Sequence, residues 1–338
     1  MEPERPPRLI GIARLAAESA PLDARNGVDY RTLDCRSCLN RQANPRLPFR
    51  FTINPYRGCE FGCAYCYARY THEYLEHRDW LDFERKIYVK ERAPEHLERE
   101  LASERVRREP IALGTATDPY QPAERRRGLT RRILEVIARH RGLDFSITTK
   151  SDLVLRDLDL LRRIAARSPL LHVNVTITTA DRELARRLEP RAPTPEKRLA
   201  AVRALREAGI VAGVFCAPVL PLVTDDEASL DRLFAAAREA GALYVMTNLL
   251  FLMPSAKRRY MPFIEAEFPG LARRFAALYG PTGHAPPAYR RAYEERVRRV
   301  RERHGGIGSW WSLDPACAAR PREEQRAFEW PSVRLEPS

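Results

Sequence analysis

Residues 54–69 read NPYRGCEFGCAYCYAR, a stretch that places three cysteines at C-x3-C-x2-C spacing: Cys59, Cys63 and Cys66. Cysteine thiolates hold iron–sulfur clusters, and a local triplet without an obvious fourth cysteine leaves one iron of a [4Fe–4S] cluster open to an outside ligand. Gly58 and Gly62 let the backbone wrap closely around such a group, because glycine accepts positive φ and has no Cβ. The stretch therefore predicts a [4Fe–4S] loop with these cysteines as ligands.

Three neighbouring cysteines can also pack in a core or bind zinc. Zinc usually takes four ligands and prefers C-x2-C pairs that are set far apart. Here the loop follows a short apolar run and precedes an aromatic, helix-like run, and that context is typical of a cluster loop. We therefore predict cluster ligation over zinc binding.

The composition is that of a globular chain. It has 338 residues, 44% of them hydrophobic and 30% charged, enough for one large core or a barrel with appendages. No apolar run approaches the ~20 residues that a membrane helix needs, and the N-terminus lacks the apolar core of a signal peptide. Seven cysteines are an odd number, which argues against a disulfide framework. We expect a cytoplasmic protein without a membrane partner, and the oligomeric state stays open.

The chain is strongly basic, with a formal net charge of +13 and 58 lysines and arginines. Such an excess indicates an anionic partner such as nucleic acid. Arginine can equally cover solvated helix faces, and runs such as those at 124–127 and 296–301 have that character. Charge alone therefore leaves both interpretations open.

From about residue 50, short β-rich apolar runs alternate with amphipathic helical patterns, which predicts an α/β fold with a parallel sheet. Six main strands are expected, with a short extra strand at 87–90, and the six lie at 51–54, 111–117, 144–149, 171–178, 210–219 and 243–251. Helices are expected at 65–76, 94–108, 124–141, 155–166, 181–188, 195–208 and 227–240.

The same pattern divides the chain into an N-terminal arm (1–48), a core (49–255) and a helical C-terminal extension with a tail (256–338). We expect the arm to be irregular, with at most one short helix at 9–17, and the extension to help close the open side of the core. The arm contains Cys35 and Cys38, a C-x2-C pair without a second such pair. We predict free thiols that the cluster does not need, and a second metal site completed by Cys317 is the alternative.

Polar side chains occur where several predicted strands end, and a parallel barrel places its chemistry at the C-terminal ends of its strands. They are Thr115, Thr117, Asp118, Thr148, Thr149, Lys150, Thr176, Thr178 and Asn248. Small polar groups with a lysine suit a zwitterionic nucleoside. Threonine is also a good strand former, and polar residues at strand ends often cap helices.

The cysteine loop resembles that of the radical S-adenosylmethionine (SAM) superfamily. Four further segments resemble its branch related to spore photoproduct lyase: GTATDPYQPAE at 114–124, TTKS at 148–151, LEPRAP at 188–193 and CAPVLP at 216–221. The resemblance covers about residues 45–255 and implies a partial (β/α)6 radical SAM barrel. It also implies that the open iron chelates the amino and carboxylate groups of SAM, and that one electron cleaves SAM to a 5′-deoxyadenosyl radical.

The resemblance also implies roles for individual residues. Tyr65 takes the aromatic place near the adenine, and Thr117 and Asp118 correspond to the contact with the methionine amino group. Lys150 resembles the lysine that meets the SAM carboxylate. Thr176 occupies the ribose-contact position on strand four.

Two features depart from the family pattern. The glycine-glycine-glutamate motif of many members is replaced by Thr-Ala-Thr-Asp at 115–118. The cysteine hydrogen donor and tyrosine relay of spore photoproduct lyase have no clear counterpart. Cys216, at the end of strand five, is a candidate hydrogen-atom donor, and simple burial in the core is the alternative.

These observations predict a radical SAM enzyme that abstracts hydrogen from a substrate. Kinship and charge make a nucleic-acid lesion or base the leading candidate, and a one-electron reductant such as flavodoxin or ferredoxin is the implied partner. A peptide or small-metabolite substrate is one alternative. A non-catalytic iron–sulfur or zinc nucleic-acid-binding protein is another, which the six-strand pattern disfavours because a binding module needs no such barrel.

Overall fold

The fold is built around six parallel strands that follow one another along the chain. The computed structural model describes residues 9–45, 47–168, 170–280 and 283–308. The strands are β1 (Pro21–Arg25), β2 (Val28–Thr32), β3 (Leu39–Arg41), β4 (Phe51–Ile53), β5 (Tyr56–Arg57), β6 (Lys86–Val89), β7 (Ile111–Leu113), β8 (Phe145–Thr149), β9 (His172–Thr176), β10 (Val211–Val219) and β11 (Val245–Leu249).

Helices separate most of these strands. The α-helices are α1 (Gly11–Ala17), α2 (Tyr70–Glu73), α3 (Asp82–Arg85), α4 (Ala93–Glu100), α5 (Glu104–Arg107), α6 (Glu124–Arg127), α7 (Leu129–Ile137), α8 (Leu158–Ala165), α9 (Arg182–Leu188), α10 (Pro195–Glu207), α11 (Glu227–Glu239), α12 (Pro254–Glu267), α13 (Pro269–Leu278) and α14 (Pro287–Arg303). Two 3₁₀ helices lie at Tyr67–Arg69 and Asp152–Asp157. Within the described ranges, no helix is long and apolar enough to cross a membrane.

The main sheet has seven strands in the order β11-β10-β9-β8-β7-β4-β3. Strands β4 to β11 of this sheet run parallel, and β3 pairs antiparallel with β4 at one edge. In the described part of the chain, β11 and β3 do not pair with each other, so the barrel stays open. The predicted α/β fold with six parallel strands is confirmed.

Burial explains why these segments form strands and crossover helices. All five residues of β9 are buried, as expected of a parallel strand that is covered on both faces. Helix α7 turns one apolar stripe toward the sheet, where Ile133, Leu134 and Ile137 are at most 1% exposed. The strands and their covering helices thus share one large core.

The N-terminal region contains more regular structure than the sequence interpretation expected. Strands β1 and β2 form a hairpin whose turn, Asn26 and Gly27, has positive φ at both positions. Asn-Gly is the typical sequence of such a tight turn, and this signal was missed. A second sheet has the order β1-β2-β6-β5 and so connects the hairpin to β6, which corresponds to the extra strand predicted at 87–90.

The C-terminal extension is helical, as predicted. Helices α12 and α13 pack against each other, and α14 packs against α11 and β11. Tyr293 and Val297 of α14 line the interior cavity of the barrel. This helix therefore covers part of the open side, whereas the tail with Cys317 lies outside the described residues.

Candidate active site

A cavity of about 800 Å³ opens at the C-terminal ends of the parallel strands. All three cysteines of the predicted loop line it, together with Lys150 from the end of β8. Polar side chains of the barrel interior line its deeper part: Thr52, Ser146, Thr148, His172, Asn174, Thr176, Thr247 and Asn248. The cavity therefore joins the cysteine loop to a polar barrel interior, as the strand pattern predicted.

The cysteine loop is held by hydrogen bonds to its backbone. Thr117 Oγ1 donates to the Gly58 carbonyl at 2.6 Å, and Gln121 Nε2 donates to the same oxygen at 3.1 Å. The Glu60 amide donates to Gln121 Oε1 at 3.0 Å. Gln121 is fully buried, so this clamp is shielded from water. The segment after β7 thus fixes the course of the loop.

Two glycines of the loop adopt the conformation that the sequence predicted. Gly58 has φ +90° and Gly62 has φ +69°. A Cβ on Gly58 would lie 2.9 Å from the backbone oxygens of Phe83 and Lys86. The close approach of the chain around β6 therefore requires glycine at this position.

The N-terminal hairpin also supports the loop. Glu60 is buried, and its Oε2 accepts a hydrogen bond from the Tyr30 hydroxyl at 2.8 Å. Its Oε1 accepts from the Ala123 amide at 2.8 Å. Burial raises the pKa of the Glu60 carboxyl, and these two hydrogen bonds act in the opposite direction.

The three cysteines are free thiols, two buried and Cys66 partly exposed. Burial raises the pKa of all three, to about 12 for Cys63. Lys150 lowers the pKa of Cys63 and Cys66, so the surroundings contain a cation that favours thiolates. Metal binding displaces thiol protons, and a nearby cation assists that step.

The three cysteines form an all-sulfur donor set on one wall of the cavity, and thiolates are the ligands of iron–sulfur clusters. Across the residues that the structure describes, no three His, Cys, Asp or Glu side chains converge as the ligands of one metal ion. In a [4Fe–4S] cluster each thiolate binds a different iron, so the sulfurs are spread more widely than around zinc. The chemistry of the donor set is that of an iron–sulfur site, and the [4Fe–4S] assignment stays a prediction.

Lys150 places its ammonium 5.7 Å from the ring centroid of Tyr65. Among the described residues, no oxygen accepts a hydrogen bond from this ammonium. Burial would lower the pKa of Lys150, but Cys63 and Glu189 raise it above its ordinary value. The cavity thus presents a positive charge beside the cysteine loop.

A buried network that sequence reasoning missed supports Tyr65. The hydroxyls of Tyr65 and Thr178 both donate to Glu189 Oε1, the second at 2.9 Å. Glu189 also forms an ion pair with Arg198, and both side chains are 1% exposed. Burial would raise the pKa of Glu189, yet Arg198 and Lys150 hold it below its ordinary value. The motif at 188–193 contains Glu189, but the sequence did not reveal its partner on α10.

The sequence model of the Radical SAM superfamily matches residues 53–234, which include the cysteine loop and strands β7 to β10. The chain belongs to the radical SAM superfamily. It is a radical SAM enzyme, and the predicted resemblance is confirmed. The family implies SAM and an iron–sulfur cluster as cofactors.

Relatives with similar sequences include uncharacterized proteins. One, from Mycobacterium tuberculosis, is 41% identical over 291 residues, covering 86% of this chain and 85% of the relative. Another, from Methanocaldococcus jannaschii, is 32% identical over 223 residues, covering 65% of this chain and 77% of the relative.

The fold is similar to that of spore photoproduct lyase. A complex of that enzyme with dinucleoside spore photoproduct matches with a TM-score of 0.62 and 17% identity, covering 90% of this chain and 85% of that chain. A variant with bound AdoMet and the same dinucleoside matches with a TM-score of 0.58 and 18% identity, covering 78% and 76% of the two chains. At this level of identity, the similarity shows a shared fold.

The other predicted SAM contacts of this radical SAM enzyme also line the cavity. Thr176 is buried there, and Thr117 uses its hydroxyl to hold Gly58. Asp118 accepts hydrogen bonds from the Thr149 hydroxyl and the Lys150 amide, both at 2.7 Å, and from the Tyr120 amide at 2.9 Å. A carboxylate has about four lone-pair sites, so Asp118 keeps room for one further donor.

The structure does not bring Cys216 to the cavity. Its neighbours Phe215 and Ala217 line the cavity, whereas Cys216 is 1% exposed and belongs to the large core. Its Sγ lies 3.8 Å from the Thr178 carbonyl. Alternation along β10 therefore turns this thiol away from the radical SAM site, and the position gives no support to a hydrogen-donor role.

Cys35 and Cys38 lie between β2 and β3, and both are free thiols. Neither lines the cavity. Cys317, the third ligand of the alternative metal site, lies outside the described residues, and that alternative stays a hypothesis.

Proposed function

We propose that Cys59, Cys63 and Cys66 hold a [4Fe–4S] cluster and that the cavity binds SAM and a substrate beside it. The observation that carries this proposal is the shared wall: the three cysteines and Lys150 line one cavity at the C-terminal ends of the strands. When bound, the cluster and SAM supply one-electron cleavage to a 5′-deoxyadenosyl radical for hydrogen abstraction.

Residues of the chain itself bind SAM and orient it in the cavity. Lys150 binds the SAM carboxylate, because its ammonium faces the cavity and lacks an acceptor among the described residues. Tyr65, fixed by Glu189, presents an aromatic face near the adenine, and Thr176 meets the ribose. Asp118 offers its remaining lone pair to the methionine amino group. The apolar parts of the wall keep water away from the reacting atoms.

We infer that the substrate is a nucleic-acid lesion or base. A net charge of +13 favours an anionic partner, and the fold resembles that of spore photoproduct lyase, whose structure has been determined with dinucleoside spore photoproduct. More cationic than anionic side chains line the cavity. The cations are Arg57, Lys90, Lys150 and Arg290, and the carboxylates are Asp118 and Glu294. A reductant such as flavodoxin or ferredoxin would supply the electron.

Anaerobic reconstitution followed by a search for 5′-deoxyadenosine tests the radical SAM chemistry. We expect 5′-deoxyadenosine to form only when both SAM and a reductant are present. Filter binding to DNA and RNA across a salt series tests the substrate class, because phosphate contacts give a steep salt dependence. Weak binding to both nucleic acids that does not change with salt concentration would contradict the assignment of a nucleic-acid substrate. It would favour a peptide or small metabolite as the substrate.

A further inference from the structure

Two cations lie on one face of the small sheet: Arg57, which directly precedes Gly58 of the cysteine loop, and Lys90, which directly follows β6. In the antiparallel pair of β5 and β6, Arg57 is opposite Tyr88. Side chains of directly opposed residues point to the same face, and so do those of residues two apart on one strand. Lys90 follows Tyr88 by two positions, and its amide donates to the Pro55 carbonyl at 3.1 Å. Arg57 and Lys90 are therefore diagonal neighbours on one face.

Neither cation has an acidic partner within the described ranges. Lys90 is 6% exposed, and none of the described oxygens accepts a hydrogen bond from its ammonium. Arg57 donates to the Thr71 carbonyl at 2.8 Å and forms no ion pair with any described carboxylate. A guanidinium has five N–H donors, so most of its donor capacity is left over.

The titratable groups that influence Lys90 are two thiols and the second cation, and no carboxylate is among them. Cys35 and Cys38 both raise the pKa of Lys90, whereas the Arg57 guanidinium lowers it. Burial raises the pKa of the Cys38 thiol to about 12, which keeps that thiol uncharged near pH 7. Burial also lowers the pKa of Lys90, which shows the cost of placing this ammonium here. A buried charge without a partner is destabilising, so a ligand that supplies the opposite charge would remove a real cost.

Both side chains line the 800 Å³ cavity, beside Asn40, Gln42, Tyr70 and Tyr74. We propose that Arg57 and Lys90 form an oxyanion subsite that binds a phosphate or carboxylate group of the substrate. The subsite is built by β5, β6 and the N-terminal region, whereas Lys150 lies at the end of β8. That the bound oxyanion belongs to the substrate rests on the proposed function, which makes this cavity the substrate site.

Isothermal titration calorimetry of the full chain with inorganic phosphate, and separately with acetate, tests this subsite at constant ionic strength. Wild-type protein should bind at least one of the two probes with saturation. Lys90→Met and Arg57→Met should each weaken binding at least tenfold. The controls Lys197→Met and Arg238→Met remove an exposed charge of the same type and should stay within twofold.

Thermal unfolding without anion shows whether Lys90→Met folds, and we expect no decrease in its midpoint because a buried unpaired charge is removed. Preference for phosphate or for acetate would identify the oxyanion. Absence of saturable binding to wild type, or equal binding by wild type and Lys90→Met, would overturn the proposal. Phosphate titration needs no cluster, so binding without 5′-deoxyadenosine formation would refute the proposed function and leave the subsite intact.

Discussion

Lys150 is a cavity-facing cation whose surroundings raise its pKa, and we propose that it binds the SAM carboxylate. We predict that Lys150→Ala weakens SAM binding by about 1.5–3 kcal/mol, the range for hydrogen bonds to charged groups. Iron content should be unchanged, since Lys150 is not a ligand. Equilibrium binding of SAM to the reconstituted variant measures this loss, with Lys197→Ala as the charge-matched control. Unchanged affinity would remove Lys150 from the SAM site.

Cys216 illustrates how a strand position decides between chemistry and packing. Because its thiol is buried in the core, we predict that Cys216→Ala lowers the free energy of unfolding by roughly 1–3 kcal/mol. SAM cleavage and product identity should stay as in wild type. Product analysis after anaerobic turnover checks this, and a trapped or altered product would restore Cys216 as the hydrogen donor.

At the scale of elements, the cysteine loop depends on its close approach to β6. Gly58→Ala should cost more than the ~1–3 kcal/mol of a strained backbone position, because the new Cβ also meets two backbone oxygens at 2.9 Å. Gly209→Ala is a matched control: its φ is +78°, but a Cβ there meets nothing within 4 Å. Chemical denaturation of both variants compares the costs. Equal losses of unfolding free energy in the two variants would show that the close approach to β6 does not exclude a Cβ at position 58.

Helix α2 packs against β6 through His72, whose Nε2 lies 2.9 Å from the Lys86 carbonyl and must donate to it. Burial lowers the pKa of His72 to about 3, below its ordinary value of 6.5. The unfolded chain therefore binds a proton between these values that the folded chain does not, so stability falls as pH drops from 6.5 toward 3. The slope is at most about 1.4 kcal/mol per pH unit.

The measurement is the midpoint of thermal unfolding from pH 7.5 down to pH 4, for wild type and His72→Gln. Glutamine keeps a donor for the Lys86 carbonyl but does not titrate. We expect the difference between the two proteins to shrink as the pH falls. A constant difference would show that His72 does not titrate abnormally in the folded chain.

Strands and helices of the core were predictable because short apolar, β-rich runs alternate with amphipathic helical patterns along the sequence. The hairpin was also predictable, because Asn26-Gly27 is a typical sequence of a tight turn. The interpretation of the N-terminal arm did not use this signal. The sequence did not reveal which side chains from distant parts of the chain contact each other. Nothing in the sequence near Glu189 indicates that Arg198 neutralises it, or that Tyr30 holds Glu60.

At the scale of the whole molecule, several elements converge on one cavity, and only a fold can bring them together. The three cysteines were predictable because their spacing is local, and Lys150 because it follows a clear strand. Cys216 was harder to place, because a strand end does not reveal which face a residue takes at a bulge. Arg57 has no predicted role within the cysteine stretch, and Lys90 lies outside every motif. Their proximity follows from the pairing of β5 with β6.

The central claim is that one cluster on the cysteine loop meets SAM in this cavity. The most direct test is electron paramagnetic resonance of the reduced, anaerobically purified protein with and without SAM, together with its iron content. We predict about four irons per chain, a [4Fe–4S]⁺ signal that changes when SAM is added, and loss of both in Cys59→Ala, Cys63→Ala or Cys66→Ala. Cys35→Ser/Cys38→Ser should keep them. Full iron content and an unchanged signal in the three alanine variants would contradict the account.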